Sequence, residues 1–396
     1  AAMALGAFRF LQRSRGFRVD VEVLNLDGED GWAHDVTVIR TNVSERPFII
    51  DSVREYLSLE GLKMERMIYP ILDVERSEEG VVTAVEAPSD GGTKESIVHC
   101  EITRVEDPER LRTIQAELSS RLQDVVRSTD DFQPMVDVVQ VVIDALGRNA
   151  TELPARSEEF AEIQAFLEWL QEGGFVFLGY RGYDLIGATD GGEPAIVVEP
   201  GSGLGLLRNE GQSRFAEPVP VSELEPGMAD LAIHGPVLII NKTNAESTVH
   251  RRARMDYVGV KKLDSAGLVV GEHRFIGLFT SKAYAEPAGA IPILRRKLDV
   301  LIEAAGVREG SHDYKELIAT FESLPKEQLF LETADEIDED VRAVVGSYGK
   351  RDVRVTLRED PLRRGISVMV ILPRDRFSGT VRKSIEAALM RIYDGE

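Results

Sequence analysis

The chain has 396 residues, enough for two to four domains that each bury a core of their own. Its 68 acidic residues outnumber its 47 basic residues, and the resulting formal charge of −21 argues against nonspecific binding to nucleic acid and against attraction to anionic membranes. Small molecules and proteins remain as the expected partners.

Cysteine usage and hydropathy indicate the compartment. Cys100 is the single cysteine, so no disulfide can form within the chain, as is typical of a reducing cytoplasm. No apolar run reaches the roughly 20 residues of a membrane span, and the N-terminus lacks the pattern of a signal peptide. We expect a cytoplasmic protein. Because the chain opens without Met and stops just after a predicted helix, we also expect it to be part of something larger.

The first part of the chain predicts a ferredoxin-like unit. Hydrophobic periodicity predicts a short helix over 1–13 and a strand over 19–26, and then the order β-α-β-β-α. The elements in that order are predicted at 35–43, 47–60, 63–76, 96–105 and 108–127. The stretch 136–143 either prolongs the last helix or closes the sheet.

The rest of the chain alternates between helical and strand-rich regions. Helical patterns dominate from 132 to 173, and predicted strands follow at 175–183, 195–199, 237–241, 258–263 and 268–280. Without long helical crossovers these strands predict an antiparallel sheet. Helices at 291–305 and 313–323 precede a final α-β-β-α order, predicted at 334–346, 353–358, 366–372 and 380–393. The fold class is therefore α+β.

The densest stretch, 241–284, predicts a β-hairpin closed by the loop 264–267. If Leu263 faces Leu268, Arg274 lies opposite Tyr257 and His273 opposite Val258. That register gathers one patch of side chains, namely Asp256, Tyr257, Glu272, His273 and Arg274.

Positive charge concentrates around this hairpin, against the acidic trend of the chain. Because arginine binds planar carboxylates through two hydrogen bonds, the cluster is a candidate site for a carboxylate or phosphate. Its candidate ligand-binding residues are His250, Arg251, Arg252, Tyr257, Lys261 and Arg274. The alternative is that these cations pair on the surface with the acidic excess.

A second candidate lies in the loop 41–48, between the first strand and first helix of the ferredoxin-like unit. Such a loop presents backbone N–H groups and a helix N-terminus, which suit a carboxylate. Its candidate residues are Asn42, Arg46 and Asp51. The alternative is an ordinary helix start at Pro47.

Other motifs do not assemble a reaction centre. The glycine-rich stretch 201–205 would need glycine where Leu206 stands to match a dinucleotide-binding loop, so we interpret it as a turn. No histidine has a second histidine or cysteine at metal-ligand spacing. We predict no catalytic, cofactor-binding or metal-binding residues in this chain.

Several long stretches resemble the N-terminal region of the large bacterial NAD-specific glutamate dehydrogenases, in that family's order. They span roughly Val36 to Phe377 and read RPFIIDSVREYL, FVFLGYRGYDL, GSGLGLLR, NKTNAESTVHRRARMDYVGVKKLD, GEHRFIGLFTSKAY, IPILRRKLDVLIEAAG, SHDYKELIATFESLPKEQLF and VRVTLREDPLRRGISVMVILPRDRF. Stretches of this length are far more specific than any short motif.

The resemblance implies a domain order. It implies an N-terminal helix and strand at 1–33, an ACT-like domain at 34–148, a helical connector at 149–174, a PAS-type antiparallel sheet domain at 175–286, a helical pair at 287–327 and a second, truncated ACT-like unit at 328–396. ACT domains carry a Pro-Gly pair in the first loop; here it reads Pro47-Phe48, and a phenylalanine blocks the close approach of an effector.

The resemblance also implies a function. The chain would be a non-catalytic regulatory and oligomerising segment of an enzyme that uses NAD to deaminate L-glutamate to 2-oxoglutarate, with the catalytic domain beyond residue 396. Expected partners are that catalytic domain, further copies of the chain and an amino-acid effector. Two alternatives stay open: a stand-alone module that binds an amino acid or dicarboxylate, and a purely structural assembly domain.

Overall fold

The computed structural model describes residues 2–13, 19–26, 34–187, 192–347, 352–359 and 365–393. In this part of the chain, strands with alternating burial form antiparallel sheets and amphipathic helices cover them, so the fold is α+β as predicted. No described helix is both long and apolar enough to cross a membrane.

The first sheet has the order β1-β2-β6-β4-β5, with β3 also paired to β6. A single strand was predicted over 63–76, but two are present, because Pro70 has no N–H to continue the ladder. One more strand, β5, was not predicted. The bounds are β1 Val19–Asn25, β2 Val36–Ser44, β3 Met64–Ile68, β4 Ile71–Arg76, β5 Val82–Glu86 and β6 Lys94–Thr103.

The edge strand of this sheet comes from the N-terminus. β1, which the sequence-based division set apart from the ACT-like unit, pairs with β2 from Val19↔Val43 to Asn25↔Thr37. It thereby occupies the edge that the closing strand takes in a ferredoxin-like unit. Residues 136–143 are helical, the first of the two alternatives, since that edge is already paired. They belong to α4 (Phe132–Glu152).

Helices lie on both faces of the first sheet. α2 and α3 pack on one face in an apolar core, and α1 lies on the other, where Leu11 meets Val74 and Ile97. Their bounds are α1 Ala2–Leu11, α2 Ile49–Leu59 and α3 Pro108–Asp130.

The second sheet is antiparallel, as predicted, with the order β10-β8-β7-β13-β12-β11 and β9 paired to β7. Its strands are β7 Phe175–Ile186, β8 Ala195–Val198, β9 Leu204–Gly205, β10 Val219–Pro220, β11 Leu238–Glu246, β12 Arg254–Leu263 and β13 Val269–Phe279.

One face of the second sheet packs on a helical layer in a core that includes Phe275, Phe166 and Phe321. On its other side, Leu178, Ile276 and Leu278 join the core of α2 and α3, so the two sheets share apolar packing. The remaining helices are α5 Ser157–Trp169, α6 Pro226–His234, α7 Ser281–Ala285, α8 Leu294–Ala305, α9 His312–Ser323, α10 Lys326–Leu331 and α11 Ala334–Val345.

The C-terminal part is a hairpin of β14 (Arg354–Glu359) and β15 (Ile366–Ile371), followed by α12 (Gly379–Tyr393). Ile337 and Val341 of α11 lie in the same core as α8 and α9. The guanidinium of Arg358 reaches from the hairpin to Asp340 of α11, at 3.1 Å.

Two glycines of one turn provide a matched test of packing. Gly201 (φ +77°) and Gly205 (φ +58°) both have left-handed backbones, but a Cβ would meet the Leu178 carbonyl at 2.2 Å only at Gly205, and nothing within 4 Å at Gly201. The backbone strain costs an alanine about 1–2 kcal/mol, and the overlap adds about 1–3 kcal/mol. We expect Gly205→Ala to lower the free energy of urea unfolding clearly more than Gly201→Ala. Equal losses of unfolding free energy in the two variants would mean that the left-handed backbone alone sets the cost, and that the overlap with Leu178 adds nothing.

Candidate ligand site

A cavity of about 610 Å³ lies on one face of the second sheet, bordered by α6 and the segment 206–215. Ligand pockets in proteins are typically about 300–1,000 Å³. Alternation along three neighbouring strands turns polar side chains toward it: Arg181 and Tyr183 from β7, Tyr257 and Lys261 from β12, and Glu272 and Arg274 from β13.

Arg274 is held between two aromatic rings. Its guanidinium carbon lies 4.2 Å from the ring centre of Tyr183 and 5.1 Å from that of Tyr257. Nη1 donates to the Tyr183 hydroxyl at 3.2 Å and Nη2 to Glu272 Oε1 at 3.3 Å. Nε is buried and has no hydrogen-bond partner among the described residues. The side chain is 29% exposed because it borders the cavity.

Glu272 is the acidic counterpart of these cations. It accepts from the Tyr257 hydroxyl and, at 2.7 Å, from Lys261 Nζ. Burial opposes its ionisation, but Arg274 and Lys261 outweigh burial and hold the pKa of the carboxyl below its usual value. Burial likewise raises the pKa of the Tyr257 phenol, which stays protonated. The floor of the cavity therefore holds an ionised carboxylate beside two cations.

A third cation, Arg181, lies in the same face. Its Nε donates to the Leu207 carbonyl at 3.0 Å and its Nη2 to the Asn209 carbonyl at 2.9 Å, so its charge has no carboxylate partner in these bonds. The remaining walls are mainly apolar, and include Leu185, Ile196, Phe215, Met228, Leu231, Ile239, Met255 and Ile276. A cationic floor under apolar walls can hold an anionic group in a low-dielectric setting.

The predicted hairpin register is wrong by two residues. Arg274 pairs with Gly259 and His273 with Val260. Leu263 pairs with Val269 and not with Leu268, which displaces the ladder by one residue, and the irregularity between Lys262 and Leu263 displaces it by one more. A displacement by two residues leaves every side chain on the same face of the sheet. Tyr257 and Arg274 therefore still share one face, as predicted.

The predicted patch is wrong in two of its members. Asp256 and His273 point to the opposite face, since neighbours along a strand alternate. There Asp256 accepts from the Phe279 amide at 2.9 Å, and His273 Nδ1 lies 2.9 Å from the Tyr180 hydroxyl.

The six candidate ligand residues divide into two groups. Tyr257, Lys261 and Arg274 line the cavity. The others have separate partners: His250 Nδ1 lies 3.1 Å from Asp51 Oδ2, Arg251 Nη2 donates to the Phe279 carbonyl at 3.0 Å, and Arg252 Nε donates to Glu246 at 2.6 Å.

The three loop candidates also have separate partners. Asn42 Nδ2 donates to Glu95 at 2.8 Å and Arg46 Nη1 to Asp130 at 2.8 Å, whereas Asp51 meets His250. The ring of Phe48, which has a left-handed backbone (φ 73°), lies 5.0 Å from that of His250. This loop is thus a contact between the two sheets.

The glycine-rich stretch is a turn whose amides bind the protein's own carboxylates. The Gly203 amide donates to Glu210 Oε1 at 2.8 Å, and the Gly205 amide to Asp131 Oδ2 at 2.7 Å. These amides therefore do not face a phosphate.

Sequence reasoning missed Arg181 and Tyr183 as cavity residues. The alternation of FVFLGYRGYDL places both on one face of β7, but only the tertiary structure reveals that this face borders a cavity. The helix α6, which supplies part of the wall, was not predicted either.

One group of metal-type ligands occurs in the described residues, formed by His312, Asp313 and Glu316 on the first turn of α9. His312 and Asp313 are 88% and 80% exposed. Ser311 caps this helix, since its hydroxyl accepts from the Tyr314 amide at 3.1 Å.

Three family profiles match parts of this chain. "Glutamate dehydrogenase, ACT1 domain" matches residues 1–118, "Glutamate dehydrogenase, helical motif 1" matches 291–348, and "Glutamate dehydrogenase, ACT2 domain" matches 354–396. The chain is also 32% identical over 391 residues to the NAD-specific glutamate dehydrogenase of Pseudomonas aeruginosa, which covers 98% of the chain and 24% of that relative. The chain resembles an N-terminal region of the NAD-specific glutamate dehydrogenases.

Two further relatives bear the same name. That of Halomonas elongata is 30% identical over 403 residues, covering 98% of the chain and 24% of the relative. That of Mycobacterium tuberculosis is 26% identical over 398 residues, covering 99% and 23%. The chain spans about a quarter of the length of these glutamate dehydrogenases, and the resemblance seen in the sequence is confirmed.

His273 gives a pH-dependence that can be measured. Burial and the nearby Lys262 lower the pKa of its imidazole from 6.5 to about 4. Between these values the unfolded chain binds a proton that the folded chain does not, so stability falls as the pH drops from about 6.5 to 4, by up to about 3 kcal/mol.

We expect His273→Gln to flatten the plot of unfolding free energy against pH in this window, measured by urea unfolding. His312→Gln is the control, since that side chain is 88% exposed. If the His273→Gln curve runs parallel to that of the unaltered chain, His273 is not the group responsible.

Proposed function

We propose that this chain is a regulatory and subunit-assembly segment of a cytoplasmic NAD-dependent glutamate dehydrogenase. The observation that carries the proposal is coverage: 98% of the chain matches relatives of that name, yet only 24% of each relative is matched, through domains named ACT and helical motif. The catalytic domain, with its NAD and the oxidative deamination of L-glutamate to 2-oxoglutarate, belongs to the unmatched length.

The second sheet is the sensing domain in this proposal. An antiparallel sheet with a cavity on one face supports a PAS-type domain over 175–286, placed between an ACT-like domain at 34–148 and a second ACT-like unit in 328–396. The sequence-based candidates Tyr257, Lys261 and Arg274 lie in this cavity. A ligand there is the proposed effector.

A continuous set of contacts leads from the cavity to the first sheet. Leu206 and Leu207 form part of the cavity wall. On the cavity side, Arg181 binds the Leu207 and Asn209 carbonyls. On the far side, Arg208 and the Gly205 amide bind Asp131, at the junction of α3 and α4. An occupied cavity would shift this loop and so bias α3, which packs on the first sheet.

In this proposal the loop at Pro47-Phe48 transmits changes between the sheets and does not hold an effector. Phe48 and Asp51 both contact His250, in the loop between β11 and β12 of the second sheet. This arrangement agrees with the absence of the glycine that an ACT effector loop uses.

A second role, assembly into homo-oligomers, is supported by the C-terminal hairpin. Val355 and Leu357 are each 52% exposed and Ile366 is 42% exposed, next to Val353 at 57%. A cluster of exposed apolar side chains is typical of an interaction surface.

The proposal is tested first on the isolated chain. Incubated with L-glutamate and NAD, it is expected to form no NADH, as measured by absorbance. NADH formation by the isolated chain would contradict its non-catalytic role.

The regulatory role is tested in the complete enzyme with Asp131→Asn. This substitution weakens the bonds to Arg208 and Gly205, and we expect at least a twofold change in the KM for glutamate or in its Hill coefficient, with the kcat retained. Glu109→Gln is the control, because it removes an exposed carboxylate that pairs with Arg112 on the same helix.

Sedimentation of both variants separates the roles. A changed mass with unchanged kinetics supports the purely structural alternative. If Asp131→Asn equals the control in both kinetics and mass, the coupling described above does not exist.

A further inference from the structure

We infer that the cavity of the second sheet binds an apolar monocarboxylate, with its carboxylate at Arg274 and a hydrocarbon or aromatic body against the walls. The inference rests on the proposed function in that the same cavity is the sensing site. It replaces the amino acid or dicarboxylate expected from the sequence by a different class of ligand.

The hydrogen-bond donors of Arg274 indicate that the head group of the ligand is a carboxylate. Nε is buried without a partner among the described residues, and the bonds from Nη1 and Nη2 are long, at 3.2 and 3.3 Å. A carboxylate can accept from Nε and a neighbouring Nη together, the side-on geometry that arginine favours. The rings of Tyr183 and Tyr257 hold the guanidinium in place for this contact.

An amino acid is disfavoured because both acidic side chains among the described cavity residues already have cationic partners, so neither is left to pair with the ammonium group. Two acidic residues line the cavity. Glu272 already accepts from Tyr257, Lys261 and Arg274. Asp184 bonds Lys262 at 2.9 Å and is 41% exposed. The other polar side chains of the lining, such as Thr243 and Asn244, carry no charge. An ammonium buried beside them would lack an ion-pair partner, and an uncompensated buried charge costs several kcal/mol.

A short dicarboxylate is disfavoured because the other cations among the described residues of the interior already donate to protein groups. Arg181 is committed to two backbone carbonyls, and Lys242 bonds Asp256 at 2.7 Å and Glu327 at 3.0 Å. Arg214 is exposed at the rim, beside the ring of Phe215. A second carboxylate close to the first would therefore lie against apolar side chains.

The body of the ligand is assigned by those apolar walls and by the cavity volume. About 610 Å³ is far more than a small amino acid fills. Burial of apolar ligand surface contributes roughly 25 cal/mol per Å², so a ligand that leaves the walls uncovered forgoes most of the available binding energy. The walls include Met228, Leu231, Ala232, Ile239, Met255 and Ile276.

Isothermal titration calorimetry on the full chain tests the assignment, with decanoate below its micelle concentration as the probe. Decanol carries the same body without the charge, and L-glutamate and 2-oxoglutarate carry the charge without the body. We expect decanoate to bind at least tenfold more tightly than decanol, and the two short acids not to bind. Equal binding of decanol, tighter binding of either short acid, or no binding of any probe overturns the inference.

Substitutions locate the site. Arg274→Gln should weaken decanoate binding at least tenfold and abolish its preference over decanol. Arg252→Gln is the matched control: it removes an arginine that does not line the cavity and that pairs with Glu246. Decanoate binding that Arg274→Gln leaves unchanged, or that the control weakens equally, overturns the assignment.

If Arg274→Gln fails to fold, a substitution in the apolar wall of the cavity tests the inference instead. Ala232→Phe on α6 fills the cavity without touching the charged floor, and should abolish binding of decanoate. Binding that survives this substitution overturns the inference.

The two proposals can fail separately. If decanoate binds as described but does not change the kinetics of the complete enzyme, the site stands and its regulatory role is lost. If Asp131→Asn alters the kinetics but decanoate does not bind, only the ligand assignment is lost.

Discussion

The carboxylate of Asp131 joins the parts of this molecule that surround the cavity. It lies between α3 and α4, is 5% exposed, and accepts from the Gly205 amide and from Arg208. Through α3 it belongs to the layer that covers the first sheet, and through α4 to the layer that covers the second. A carboxylate this buried needs hydrogen-bond partners, and these bonds hold the glycine-rich turn against the helices. Leu206 and Leu207, which directly follow this turn, form part of the cavity wall.

Buried polar groups also organise the outer face of the first sheet. Arg40 bonds Glu22 at 2.6 Å, and Arg76 bonds Glu95 at 2.7 Å. Helix α1 covers this layer, and Gly6 permits it, because a Cβ there would meet the Arg40 guanidinium at 2.3 Å. Paired buried charges contribute less to net stability than to a specific arrangement. Here they hold β1, β2, β4 and β6 in one register under α1.

The cavity combines a charged floor with mainly apolar walls. Its floor keeps three cations and one carboxylate out of bulk water, and its walls are apolar. Tyrosine side chains suit this boundary, since the face of the ring attracts a cation and the hydroxyl bonds a neighbouring polar atom. The result is a positively charged floor beside tyrosine rings, which suits the monocarboxylate inferred above.

Much of this arrangement could be predicted from the pattern of residues along the chain. Alternation with a period of two identified most strands of both sheets, although β5, β9 and β10 were missed. It still placed Tyr257 and Arg274 on one face when the register was wrong by two residues. The long stretches that resemble glutamate dehydrogenases predicted the family in the same way, since they depend only on the order of residues.

What the sequence by itself determined was therefore most of the longer elements, the faces of their side chains and the resemblance to glutamate dehydrogenases. Only the tertiary structure decided that β1 takes the edge of the first sheet, which leaves 136–143 helical. It alone brought Arg181 beside Arg274, and it separated His250 from the cavity. The physical reason is that periodicity depends on residues close together along the chain. Sheet edges and cavities depend on packing between segments that are far apart in sequence.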